Sequence, residues 1–366
     1  MAKKKRWKRL HTAAAVLCCI AALVAAIIFA EHRAGVAYAR DDGTTTKPQP
    51  KPKPVLDKRA YDRKLLEVAL ATTSVTDAQI DAFEMATSTS TSTPALWPVK
   101  AAYPNYGALL PFHRIIAYYG NFYSKQMGVL GEYPHDEMIA KLQGEVDKWN
   151  AADPTTPVIP AIDYIAITAQ ASPIDGTYRA RMPDSQIQKA IALADEVHGI
   201  VILDMQVGLS TLQKELPLLA EYLKRPEVHL ALDPEFSMKT GDKPGDVIGT
   251  FDATDINYAT QFLAQIVRDN DLTPKILVIH RFTQPMVTHY KQIKQVPEVQ
   301  IVMDMDGWGP PAKKINTYQA FISPEPVQFT GFKLFYKNDL KAPSTRLLTP
   351  EELLKLKPQP LFIQFQ

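Results

Sequence analysis

Polar side chains able to do acid–base chemistry recur in this chain directly after short apolar runs, often two residues apart. Asp204 and Gln206 follow GIVIL, Asp233 and Glu235 follow VHLAL, and Asp304 and Asp306 follow VQIVM, while KILVI leads into His280 and Arg281. In an extended strand residues i and i+2 face the same side, so each spaced pair presents two groups to one mouth. Two carboxylates across a cleft can divide the work of glycosidic cleavage, one protonating the leaving oxygen and the other attacking or activating water. Glu235 stands between Pro234 and Phe236, and apolar neighbours raise a carboxyl pKa toward that of a general acid. The expected assignment is Glu235 as the acid, with Asp204 or Asp304 as the second carboxylate.

Each neighbour carries a structural alternative. Asp233 precedes a proline turn and is equally suited to capping it. Trp308, in MDMDGWGPP, is either a sugar platform or a packed loop residue, brought to the rim by the backbone freedom of Gly307 and Gly309. His280 and Arg281 can bind an anion or serve as charged partners of the carboxylates. Alternation brings Lys333 of GFKLFY and Gln364 of FIQFQ to the same mouth. Tyr119, beside Tyr118 and near Asn121, adds aromatic and hydrogen-bonding surface. The expected substrate contacts are thus Tyr119, Gln206, Asp233, His280, Arg281, Asp306, Trp308, Lys333 and Gln364. Asp163 lies early in its run and reads as structural, with Gln170 the better mouth candidate.

Neither a cofactor nor a bound metal is expected. Asp204, Glu235, His280 and Asp304 could hold a divalent cation in a metal-dependent phosphodiesterase, but the chain has no HxH or HExxH spacing. A non-catalytic glycan- or wall-binding barrel is a third class, because fold does not dictate function.

Eight runs supply the frame for these residues: His113 to Tyr119, Ala161 to Thr168, Gly199 to Asp204, Val228 to Asp233, Lys275 to His280, Val299 to Asp304, Thr330 to Tyr336 and Leu361 to Phe365. The central ones are apolar on both faces, as strands covered by helices must be. Helical patterns fill most gaps, over His135 to Ala152, Asp184 to Val197, Ser210 to Lys224, Asp255 to Asn270, Pro285 to Gln295 and Pro350 to Lys357. Alternating strands and helices imply a parallel sheet, and eight units imply its closure into a (β/α)8 TIM barrel over residues 101–366, with an open doubly wound sheet as runner-up. Such barrels carry their working groups at the strands' C-terminal ends, where these polar pairs fall. No helical pattern follows the eighth run, and a short one over Asp57 to Ala71 is expected to pack in that place.

The remaining chain reads as an export apparatus. With 366 residues and a formal charge of +2, one large domain plus extensions is expected, and nothing in the balance suggests nucleic acid. A basic cytoplasmic segment, residues 1–11, precedes an apolar stretch over 12–30, close to the roughly 20 residues that cross a bilayer. Positive charge ahead of it keeps the N-terminus inside. The stretch is either an uncleaved anchor, which its length favours, or a signal peptide cut after Ala37-Tyr38-Ala39. Cys18 and Cys19, the chain's two cysteines, fall within it. They read as small apolar residues rather than an acylation site, since Val16 and Leu17 precede them. Residues 31–100 read as a linker with one short helix, its TTTKPQPKPKP an extended spacer and Thr87 to Pro94 too polar to order. The expected location is the cell membrane with the barrel outside, or secretion if the segment is cleaved. The partners are then the membrane and a polysaccharide or oligosaccharide.

The runs LDMQVG, LDPEFSM, VIHRFT, MDMDGWGPP and QFTGFKLFYKND resemble those of a family of exported bacterial hypothetical proteins, across most of residues 105–366. The resemblance implies export and a shared fold, and no activity. A glutamate after strand four is also similar to the acid/base placement of barrel glycoside hydrolases. Strand seven departs from that pattern, ending in KLFYKND without the glutamate nucleophile many of those enzymes carry.

Overall fold

The computed structural model describes residues 54–88 and 96–366. Eight parallel strands form the frame: β1 (Arg114–Gly120), β2 (Val158–Ala169), β3 (Ile200–Met205), β4 (Val228–Leu232), β5 (Lys275–Arg281), β6 (Val299–Met305), β7 (Phe329–Leu334) and β8 (Phe362–Phe365). Each pairs with the next, and β1 pairs with both β2 and β8, so the sheet closes as a TIM barrel.

Period-two alternation sorts each strand between two cores. Ile115 and Ala117, Ile200 and Ile202, and Ile276 and Val278 share the barrel's interior cluster. The intervening Ile116 and Tyr118, Val201 and Leu203, and Leu277 and Ile279 belong to the outer cluster, against the helices. Two buried faces explain why the runs read as continuously apolar.

Two helices precede the barrel, α1 (Lys58–Leu70) and α2 (Asp77–Ser88). Between strands lie α3 (His135–Ala152), α4 (Asp184–Glu196), a broken helix over 212–223, α5 (Ala253–Asp269) and α6 (Pro311–Thr317). The broken helix narrows to a 3-10 turn where Pro217 enters it, since proline cannot donate the bond an α-turn needs. α5 starts on a capping box in which Asp252 and Asp255 satisfy free amides reciprocally.

Three expectations are corrected. No α-helix forms over Pro285 to Gln295: the chain makes two 3-10 turns around a two-residue strand, Val287–Thr288, which pairs with Phe251–Asp252. His289 then turns left-handed at φ 54, which no helix tolerates. Pro350 to Lys357 contributes a single turn, Pro350–Leu353. The third correction concerns α1, which closes the barrel's floor and does not complete the outer ring. Its Tyr61, Leu65 and Val68 belong to the interior cluster. The Val68 carbonyl accepts from Gln359 N at 2.9 Å and Lys64 Nζ donates to the Thr155 carbonyl at 3.1 Å, both beside strand beginnings.

The compact unit accordingly runs Pro54–Gln366, upstream of the boundary expected at residue 101. The basic segment, the apolar stretch 12–30, the cysteines and nearly all of the proline-rich spacer lie outside the described residues, as does most of the Ser/Thr run. Among the described residues no helix is long and apolar enough to cross a membrane.

Candidate active site

A cavity of about 620 Å³ opens at the C-terminal ends of the strands. Of the residues expected at the mouth it is lined by Tyr119, Gln206, Asp233, Glu235, Asp306, Trp308 and Lys333. Phe236, Phe282, Phe321 and Phe335 add apolar wall, Gln126 and Met127 join from a loop, Lys313 from α6 and Gln366 from just past β8.

Asp204, His280, Asp304 and Gln364 converge on the same axis one layer deeper, fully buried beneath the cavity. Asp204 and Asp304 still lie within β3 and β6, whereas Gln206 and Asp306, two residues on, reach the mouth. Asp204 Oδ2 accepts from the Tyr119 hydroxyl at 2.8 Å and stands 3.8 Å from His280 Nε2. His280 Nδ1 lies 3.3 Å from Asp304 Oδ2 and 3.5 Å from Asp306 Oδ2. These are ionic contacts without hydrogen-bond alignment, since neither ring nitrogen has a hydrogen-bond partner. Burial works against a charged imidazole, but the three aspartates outweigh it and hold His280 protonated up to about 10.

Lys333 is the second buried cation. Its ammonium sits 3.0 Å from Asp306 Oδ1 and 3.9 Å above the centroid of the Tyr119 ring. Burial opposes its charge too, yet Asp306, Asp233 and Asp304 raise its pKa above the ordinary lysine value. Gln206 ties the rim together: its carbonyl accepts from Ala169 N at 3.0 Å and its amide donates to Asp233 Oδ2 at 3.1 Å. Asp233 is both cap and cavity residue, because its Oδ1 accepts from Glu235 N at 3.1 Å at the start of a 3-10 turn. Burial, reinforced by Asp204 and Glu235 and opposed by His280, raises the Asp233 pKa well above the carboxylate range.

Glu235 is displayed on that capped turn, half-buried in the cavity wall. Its carboxylate has no hydrogen bond or ion pair among the described residues. Burial and then the charge of Asp306 push its pKa up to about 7, while Lys333 and His280 pull the other way. It therefore exchanges its proton near neutrality, as a general acid must.

Arg281 does not join the cluster. Next to inward-facing His280 it faces outward, where it donates to the Thr283 carbonyl at 3.2 Å, the Gln284 carbonyl at 2.8 Å and Glu325 Oε2 at 2.5 Å. It secures a loop and lines no part of the cavity. Gln364 donates to Asp163 Oδ2 at 2.6 Å below the floor. Asp163, assigned a structural place from its early position, is central to the buried cluster: burial and then Asp204 raise its pKa to about 8. Gln170, preferred over it, folds back on the Thr168 carbonyl at 3.4 Å and does not line the cavity.

Trp308 stands 48% exposed at the rim. The ammonium groups of Lys313 and Lys341 lie 5.0 and 5.1 Å from the centroid of its ring. Its loop is held from beneath, where Gly309 N donates to Asp339 Oδ1 at 2.9 Å and buried Lys314 donates to the Gly307 carbonyl at 2.7 Å.

No protein-family model matches the chain, and no curated protein sequence matches it. Among solved structures it is similar to a ruminal GH26 endo-β-1,4-mannanase, at 13% identity and TM-score 0.34 over 75% of this chain and 66% of that one. It is also similar to a GH5 family lichenase from Caldicellulosiruptor sp. F32, at 10% identity and TM-score 0.35 over 75% and 90%. A sugar phosphate isomerase/epimerase from Parabacteroides distasonis gives 10% identity and TM-score 0.32 over 71% and 88%.

Proposed function

We propose that this protein is an extracytoplasmic, carbohydrate-active hydrolase that cleaves glycosidic bonds in a cell-wall or extracellular polysaccharide. The reading places the barrel outside the membrane, held by residues 12–30 or released if that segment is cleaved. The observation that carries the chemistry is Glu235: an unpartnered carboxyl in the cavity wall, poised near pH 7 by burial and by Asp306. Glu235 gives its proton to the departing glycosidic oxygen. Asp306, which faces the same cavity and is paired with Lys333, supplies the second carboxylate, acting on the anomeric carbon directly or through water. Asp204 and Asp304, the partners expected from sequence, act one layer down by fixing Tyr119 and His280. Phenylalanine rings in the wall offer apolar faces to sugars, and Gln206 and Tyr119, bonded to each other and to Asp233 and Asp204, hold the wall in place.

The metal-dependent reading has less support. Among the described residues no group of three or more His, Asp or Glu has the arrangement of a metal site. The ammonium of Lys333 already places a cation among these carboxylates.

The test is reducing-end release by the full-length protein from a panel of cell-wall and plant polysaccharides. Glu235→Gln should lose cleavage by about 10²-fold or more while still binding the same polymer. Binding with no cleavage by either form would leave the glycan-binding barrel as the answer, and activity abolished by a chelator would favour the phosphodiesterase.

A further inference from the structure

We infer that the Trp308 rim is a subsite for the anionic group of an acidic glycan, seated by Lys313 and Lys341 beside the bond to be cleaved. The inference rests on the carbohydrate-cleaving reading and names the substrate class for it.

Two ammonium groups, from residues 28 positions apart in the chain, converge on one indole at 5.0 and 5.1 Å. Neither has a carboxylate within 4.0 Å among the described residues. The nearest candidate in sequence, Asp339, is already engaged: it pairs with buried Lys314 at 3.0 Å and accepts from Gly309 N and Phe335 N, both at 2.9 Å. Two like charges gathered without a counter-ion repel one another, and the indole face offsets that only in part. An anion bound beside them at the rim relieves the repulsion.

The arrangement is built into the backbone. Gly309 sits at φ +139, and the stem of Lys313 fills the room a side chain there would need, its Cδ 2.9 Å from where a Cβ would stand. Below this rim the cavity wall carries Glu235, Asp306 and Asp233 together with Lys333, whose ammonium is already paired with Asp306 at 3.0 Å. An anionic substituent finds the cation of the reacting centre already paired and the two rim lysines free of carboxylates, which places the charge on a neighbouring sugar and not on the one being cleaved. Such a positive rim also steers a polyanion toward the mouth.

The experiment measures binding, so that it stands apart from catalysis. Full-length Glu235→Gln protein is titrated with an oligogalacturonate, a glycerol-phosphate oligomer and a neutral cello-oligosaccharide, then again with Lys313→Gln and Lys341→Gln added. Both lysines are exposed, so folding is retained, which circular dichroism checks. The inference predicts that one acidic oligomer binds tighter than the neutral one, loses about tenfold in the double-lysine variant, and weakens with salt. The oligomer that does so tells a uronate from a phosphate. Equal binding of acidic and neutral oligomers, no binding of either acidic one, or acidic binding unchanged by the lysine substitutions overturns it. If acidic binding behaves as expected and no polymer is ever cleaved, the hydrolase reading fails and the subsite stands. Neutral polymers cleaved without acidic binding is the reverse case.

Discussion

Gly331 lies directly across from Asp304 where β6 and β7 pair, and a methyl group on its α-carbon would stand 2.5 Å from Asp304 Oδ1 and 3.0 Å from Phe362 Cδ1. The strand gives up a side chain so that a buried carboxylate can lie against its backbone. Gly331→Ala should cost about 1–3 kcal/mol through overpacking, read as a lowered urea midpoint at unchanged slope. An unchanged midpoint would mean that Asp304 is free to move.

Lys333 is the cation on which the mouth depends. Replacing it with Met leaves Asp306 without its 3.0 Å partner and should destabilise the fold by about 3–5 kcal/mol, the cost of orphaning a buried charge. Lys333 also lowers the Glu235 pKa, so the variant should titrate Glu235 above the wild-type value of about 7. Carbon-13 spectra of labelled glutamate check the second effect, and denaturant unfolding the first.

Stability should fall as the solution becomes alkaline. Asp163 and Glu235 are raised to about 8 and about 7 in the folded state, against roughly 4 in an unfolded chain. Their contribution is complete below about pH 4 and is lost as pH rises through 7 and 8. His280, raised to about 10, adds a further decline as pH climbs from its unfolded value of about 6.5. Urea midpoints measured from pH 5 to 9 should therefore drop, and Asp163→Asn should flatten part of the slope. Midpoints that rise over that range would contradict the electrostatics of the floor.

The helix under the barrel can be tested by one substitution. Leu65, 8% exposed, shares the interior apolar cluster with Ile115, Ile202 and Val278. Leu65→Ala should cost about 2–5 kcal/mol, and deleting residues 55–75 should cost more. Loss of neither would show that the floor is closed without α1.

The strands were legible because a barrel strand has to be apolar on both faces, and all eight fall within a few residues of their runs. The convergence of Asp204, His280 and Asp304 was legible for the same reason, since alternation from an apolar run fixes the inward side. That rule also excludes Arg281, which cannot face inward next to His280, so the signal for its outward place was in the sequence. Asp163 is different. Its height depends on the stagger between strands, which sets it beside Tyr119 and Ile202, and stagger leaves no trace in one strand's residues. The failed helix over Pro285 to Gln295 shows local chemistry outweighing an apolar pattern, with Pro285 early and β-branched Val287 and Thr288 taken into a short strand. Lys341 reaches Trp308 only through the fold, and no spacing announces it.

The most direct measurement is a carbon-13 titration of the Glu235 carboxyl in the wild-type protein and in Asp306→Asn. A midpoint near 7 that drops when Asp306 is neutralised, yet stays above the ordinary glutamate value of about 4.3 because burial remains, is the expected result. A midpoint near that ordinary value in both proteins would remove the proton donor, and the hydrolase with it.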